Sequence, residues 1–249
     1  MNPALATAAA LFAVAVLYSS VGHAGASGYL AVLALVGLPP GAMKPTALVL
    51  NLVVATVGAI QFTRAGHFAW RTFWPFALAS VPAAWLGGAM KLPVSSYKAI
   101  VGVVLVLSAI RLLWTARIPA EREASADANA PPLAAALPIG AGLGFLSGLT
   151  GVGGGIFLSP VLLLFGWASA KRTAAVSVWF ILVNSAAGLL GHLASLQRVP
   201  ADVAGWAPTV LVGGLIGSTL GSRFLPGPAI RRLLAVVLVL AGAKLLTGR

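Results

Sequence analysis

Ten apolar stretches run along the chain, at about residues 4–20, 29–38, 45–63, 72–90 and 94–110, then 133–147, 154–166, 173–193, 203–222 and 229–243. Short joints bearing charge, glycine or proline separate them. Each stretch is apolar all round, the pattern of helices surrounded on every side by apolar material. A helix needs roughly 20 residues to cross a bilayer. The piece at 29–38 is only about 15 Å long as a helix, so the first two pieces of each half read as short helices about a break. The fold class expected is all-α: a polytopic transmembrane helical bundle of 8–10 membrane segments.

The break is most conspicuous at Gly148–Pro160, GLTGVGGGIFLSP, with a weaker counterpart at Ser19–Gly28, SSVGHAGASG. Each glycine disfavours helix by about 1 kcal/mol relative to alanine. Irregular backbone survives at membrane depth only when buried in protein or lining a polar cavity. Half-helix N-termini at such breaks would offer free amides and a positive dipole end to an anion. The alternative is that the glycines serve only close helix packing.

The two halves resemble each other. Residues 92–113, LPVSSYKAIVGVVLVLSAIRLL, and 225–246, LPGPAIRRLLAVVLVLAGAKLL, agree at nine of 22 positions. Charge is kept at Lys98/Arg231 and Arg111/Lys244, and Lys44-Pro45-Thr46-Ala47 matches Lys171-Arg172-Thr173-Ala174. The expected organisation is a first membrane repeat at 1–116, a solvated linker at 117–132 and a second repeat at 133–249. If each broken pair counts as two passes or re-enters, the repeats are inverted. Ten basic residues then gather on one face against six on the other, and the richer face is cytoplasmic by the positive-inside rule. If each pair counts as one pass, the tally is eight against eight. Inversion is the favoured reading.

Composition narrows the chemistry. Of 249 residues 59% are hydrophobic and 8% charged, against about 25% charged in soluble domains. The net charge of +12 comes from bases scattered at segment ends, as anchors are, so nucleic acid is not a partner. The four acids, Glu121, Glu123, Asp127 and Asp202, all lie outside the apolar stretches. Carboxylates are the usual intramembrane cation ligands and proton relays, so their absence favours an anion as cargo. The chain has no cysteine, and its three histidines are scattered; no metal site and no cofactor are expected. The first 20 residues lack a basic leader and do not read as a cleaved signal peptide.

Candidate binding residues fall around the breaks: Ser20, Gly22, His23 and Ser27 in the first, and Ser147, Thr150, Gly153, Gly154, Gly155 and Ser159 in the second. Lys44, Lys171 and Arg172 open the spans that follow. A cation there opposes the helix dipole, so each is a basic gate for an anion or an interfacial anchor. Thr46 and Thr173 stand beside them to cap or bind. Asn51 and Asn184 lie within the third segment of each half. A buried amide must be hydrogen-bonded, to substrate and broken-helix backbone or to a neighbouring helix. His23 is the candidate proton relay, or else a satisfied neutral histidine. An enzymatic reading also exists: Gly25-Ala26-Ser27-Gly28 followed by His192 matches the GxSG serine and distant histidine of intramembrane serine proteases.

The run GLTGVGGGIFLSPVLLL, the Lys171-Arg172-Thr173-Ala174 that follows and the internal repeat resemble the TauE/SafE sulfite exporter family over nearly the whole chain. The resemblance implies a bacterial inner-membrane transporter of sulfite or organosulfonate anions. The function expected is a secondary transporter, an exporter of a small anion, working by alternating access between the repeats. An anion channel on the same scaffold is the alternative. The partners expected are the small anion, the lipid bilayer and H+ as coupling ion; a homodimer is compatible with the sequence.

Overall fold

The glycine- and proline-bearing joints divide the chain into helices throughout the computed structural model, which describes residues 3–115, 130–195, 199–201 and 203–223 and the positions 239, 243, 246 and 247. The first half contains α1 (Pro3–Ser20), α2 (Ala26–Leu35), α3 (Pro40–Arg64), α4 (Trp70–Ala89) and α5 (Val94–Thr115). The second contains α6 (Leu133–Thr150), α7 (Gly155–Leu164), α8 (Ala170–Ala194) and α9 (Val203–Arg223). Four of these, α3, α6, α8 and α9, are long and apolar enough to cross a membrane by length and composition. Most of the expected linker and the segment at 229–243 lie outside the described residues.

Helix lengths of 18, 10, 25 and 20 residues in α1–α4 are matched by 18, 10, 25 and 21 in α6–α9. Pro75 and Pro208 each stand at the sixth position of α4 and α9. The expected boundaries shift at the breaks. Helix α6 runs on through Gly148 to Thr150, and α2 begins at Ala26, so the irregular backbone is confined to Val21–Gly25 and Gly151–Gly154. Helix α3 begins at Pro40, where a fixed φ suits a first turn; Lys44 is therefore inside the helix rather than at its mouth.

Each break reverses the chain. Helix α2 returns along α1: Ser27 Oγ donates to Tyr18 Oη at 3.1 Å, and Gly28 faces Val14 and Tyr18. After the second break Gly154 lies against Leu143 and Ser147. Beyond the far end of α7, Trp167 packs on Phe76, whose backbone meets Gly140 midway along α6. The two pairs are helical hairpins with tips at Val21–Gly25 and Gly151–Gly154.

Helices α3 and α8 cross antiparallel at the centre. Leu48 meets Gly188, Asn51 Nδ2 donates to Ser185 Oγ at 3.3 Å, and Trp179 Nε1 donates to Thr63 Oγ1 at 2.9 Å. Parallel packing joins α4 to α6 and α1 to α9. Gly140, Gly144 and Gly148 of α6 rest on the carbonyls of Phe76, Ser80 and Ala84. Gly213, Gly217 and Gly221 of α9 rest on those of Phe12, Val16 and Ser20. A Cβ at any of the six would collide with backbone or neighbouring side chain, the close approach that small residues allow in membranes.

Candidate functional site

The hairpin tips are turned into the protein. Tip 1 begins where α1 ends on Gly22 at φ +76°, with His23 N–H donating to Tyr18 O at 2.9 Å and Gly22 N–H to Ser19 O at 3.1 Å, a Schellman closure. Tip 2 begins on Gly151 at φ +84°, whose N–H donates to Ser147 O at 2.8 Å. Thr150 ties this turn, donating to Leu146 O at 2.6 Å and accepting from Val152 N–H at 3.3 Å. Helices α2 and α7 then start on left-handed N-cap glycines, Gly25 and Gly154, and neither has a side-chain cap. Their first amides keep the unpaired hydrogens that any helix start leaves.

Tip 2 lies between α3, α6 and α8. Gly153 faces Asn51 Nδ2, Ile181 and Ser185, and Gly154 faces Phe180 and Ser147. Asn51 and Asn184 are wholly buried and Ser147 is 1% exposed. Asn51 Oδ1, Asn184 Oδ1 and Ser147 Oγ have no hydrogen-bond partner. Asn184 Nδ2 donates to Phe180 O at 2.9 Å. Asn184 stands one turn from both Phe180 and Gly188 on α8, and residues four apart share a helix face. Phe180 packs against Gly154 and Gly188 against Gly148, so Asn184 belongs to the stripe of α8 facing α6 and the tip.

Tip 1 reaches α8 near its start. Gly22 fits against Ala174 of α8. His23 Nδ1 is 3.0 Å from Val21 O and its Nε2 is 3.1 Å from Ser159 Oγ on α7. A carbonyl only accepts, so Nδ1 carries a hydrogen. Ser159 Oγ also lies 2.7 Å from Ser177 Oγ and 2.9 Å from Gly155 O. His23, Ser159 and Ser177 thus link tip 1, α7 and α8, one turn from the start of α7.

Other predicted residues are engaged differently. Ser20 Oγ donates to Leu17 O at 2.7 Å within α1. Thr173 Oγ1 is 3.4 Å from Ala168 O. Thr46 is buried without a partner, but 100° per residue sets it on the opposite side of α3 from Lys44 and Leu48, away from tip 2. Lys44 points into the protein. It is 6% exposed, and its Nζ donates to Gly88 O at 2.9 Å and Met90 O at 3.1 Å. It neutralises the negative end of α4, which explains a cation at this place. Lys44, Lys91 and Tyr97 line a cavity of about 250 Å³ beside Leu149. Lys171 is exposed and Arg172 half-buried at the start of α8.

Sequence reasoning missed Ser177, Ser185 and the tyrosines. All three tyrosines of the chain serve the tips. Tyr18 accepts from Ser27, Tyr29 Oη donates to Ala24 O at 2.8 Å, and Tyr97 Oη donates to Thr150 O at 3.2 Å. The signal was available, since a phenol in an aliphatic span must find a polar partner. Among the described residues no group of three or more acidic, histidine or cysteine side chains suits a metal ion.

Sequence comparison places the arrangement. Residues 7–245 match the family described as Sulfite exporter TauE/SafE, and the chain belongs to that family. It is 44% identical over 243 residues to a "Probable membrane transporter protein y4hK" of Sinorhizobium fredii, covering 98% of each chain. It is also 29% identical over 104 residues to a "Probable membrane transporter protein YunE" of Bacillus subtilis, covering 42% of this chain and 38% of the other. No solved structure matches. The protein is a multi-pass membrane transporter of this family and not an enzyme. The protease reading fails on geometry as well. Ser27 is bonded to Tyr18 at tip 1, whereas His192 stands 18 residues beyond the Ala174 that touches that tip, about 27 Å along α8.

Proposed function

We propose that the protein is a secondary transporter that exports a small anion, of the sulfite or organosulfonate class, across the bacterial inner membrane. The observation that carries this reading is tip 2: an uncapped α7 N-terminus beside three buried polar oxygens without partners. Positive helix ends and free amides suit an oxyanion. No carboxylate falls within any of the nine helices among the described residues to oppose it. Both ends of the bundle are electropositive. Arg64, Arg71, Lys171, Arg172 and Arg223 gather where α3 and α9 end and α4 and α8 begin; Lys44, Lys91 and Lys98 stand at the other end. Such fields raise the local anion concentration.

The two halves act as inverted repeats in this reading. Matched helix lengths, the paired prolines and the antiparallel crossing of α3 and α8 support it, as does the exchange of the α4–α6 contact for the α1–α9 contact. Alternating access follows from one half rocking on the other about the α3–α8 crossing. The proton is the coupling ion, and the His23–Ser159–Ser177 chain supports that assignment because its hydroxyls and imidazole form a continuous hydrogen-bonded path.

Flux of labelled sulfite and small organosulfonates into proteoliposomes tests the proposal. Saturable uptake with counterflow is expected, lost on Gly153→Leu and Gly154→Leu in protein that still inserts. Single-channel currents without counterflow would make the protein a channel. Undiminished flux in both variants would remove tip 2 from the mechanism.

A further inference from the structure

We infer that the anion held at tip 2 carries a hydrogen-bond donor of its own: it is a singly charged oxyanion bearing an O–H, not a bare dianion. The inference rests on the anion reading above and concerns the same site. The tip presents two kinds of group. The first amides of α7, without a side-chain cap, donate, and suit a negatively charged oxygen. Asn184 Oδ1 only accepts, and it is wholly buried with no partner. Its orientation is not an arbitrary choice between oxygen and nitrogen. Nδ2 lies 2.9 Å from Phe180 O, and a carbonyl facing that oxygen instead would set two acceptors against each other. The carbonyl of Asn184 is therefore left without a donor, on the stripe of α8 whose Phe180 packs against Gly154 of the tip. Ser147 Oγ, 1% exposed and also unpartnered, can accept or donate there. An unmet buried acceptor is costly, and a ligand O–H repairs it.

Charge points the same way. A helix N-terminus supplies about half an elementary charge, so each negative charge beyond the first is met less fully. The nearest lysine, Lys44, keeps its charge but turns its Nζ to the Gly88 and Met90 carbonyls. The other titratable groups are His23, reached through Ser177 and Ser159, Tyr97 on Thr150, and buried His192, two turns from Asn184 on the same stripe of α8. A dianion would also press a bare oxygen against the Asn184 carbonyl.

The test is binding to the purified full chain in detergent, read by thermal shift and calorimetry. The probes are 2-hydroxyethanesulfonate against ethanesulfonate, sulfite over a pH series, and sulfate. Methanesulfonate, whose charge is constant over that series, corrects for titration of the protein. The hydroxylated sulfonate should bind at least tenfold tighter than ethanesulfonate. Sulfite affinity should fall as hydrogen sulfite loses its proton, and sulfate should bind weakest. Asn184→Leu should level the two sulfonates. Preference for hydrogen sulfite without preference for the hydroxylated sulfonate would still support the inference and identify the donor as an acid proton. Equal binding of both sulfonates and of sulfite at every pH would overturn it while leaving the anion site standing. No binding of any anion would overturn both.

Discussion

Single residues decide whether the tips hold their shape. Gly153 sits at φ +82° with Asn51 Nδ2 and Ile181 2.8 Å from where a Cβ would stand. Left-handed backbone costs an L-residue about 1–2 kcal/mol, so Gly153→Ala should lower the unfolding midpoint in detergent, whereas Gly66→Ala, at φ +77° but with open space around it, should lower it less. Lys44→Met removes both hydrogen bonds that Nζ makes to the α4 end. A hydrogen bond from a charged group is worth about 2 kcal/mol, and the variant should melt several degrees lower. His67 lies between α3 and α4, outside the spans. Burial lowers its pKa from 6.5, as do Lys171 and Arg172, against a hydrogen bond to the Ser222 backbone that raises it. The unfolded chain therefore takes up this proton first as pH falls. The stabilisation from neutral His67 is complete above the unfolded value and declines below 6.5 toward the lowered one. Midpoints measured over a pH series should show that acid decline, and His67→Gln should flatten it. Lys44 also shows where single residues are hard to read: its place near a helix start was plain, but its partners lie 44 and 46 residues away.

At the scale of elements, glycine ridges set the distance between helices. Gly144→Leu should prevent accumulation of folded protein, since a side chain there meets the Ser80 backbone; Gly142→Leu, facing open space on the same helix, should be tolerated. Comparing membrane expression and detergent-extracted monodispersity of the two variants checks this. The helices themselves were legible in the sequence, because runs of apolar residues this long have few other fates in a bilayer. Their ends were less so. Gly148 sits within the run that reads as a break, yet it is helical because Ala84 of α4 packs directly on it; tertiary packing overrode the residue's propensity. The polar contacts at the tips were half legible. Asn51, Asn184, Ser147 and Ser159 stood out against an apolar background, but Ser177 and Ser185 did not, since serine on a membrane helix ordinarily bonds its own backbone.

At the scale of the molecule, the direction of each helix carries the argument. Charge counting alone left inversion dependent on how a broken pair is counted, and nothing in the sequence fixes that. The hairpin return of α2 along α1 and the opposed run of α3 and α8 bear on the question directly. The chain has no cysteine, so single cysteines report topology without background. Lys91→Cys and Arg223→Cys should react with an impermeant maleimide from opposite sides of the membrane; labelling from one side would contradict the inverted arrangement. The same background allows the most direct test of the anion site. Ser147→Cys, a near-isosteric change at tip 2, should be modified by a small thiol reagent in native membranes, and saturating sulfite or hydroxyethanesulfonate should slow that reaction several-fold. A thiol modified at the same rate with and without anion would contradict a ligand held between the tips.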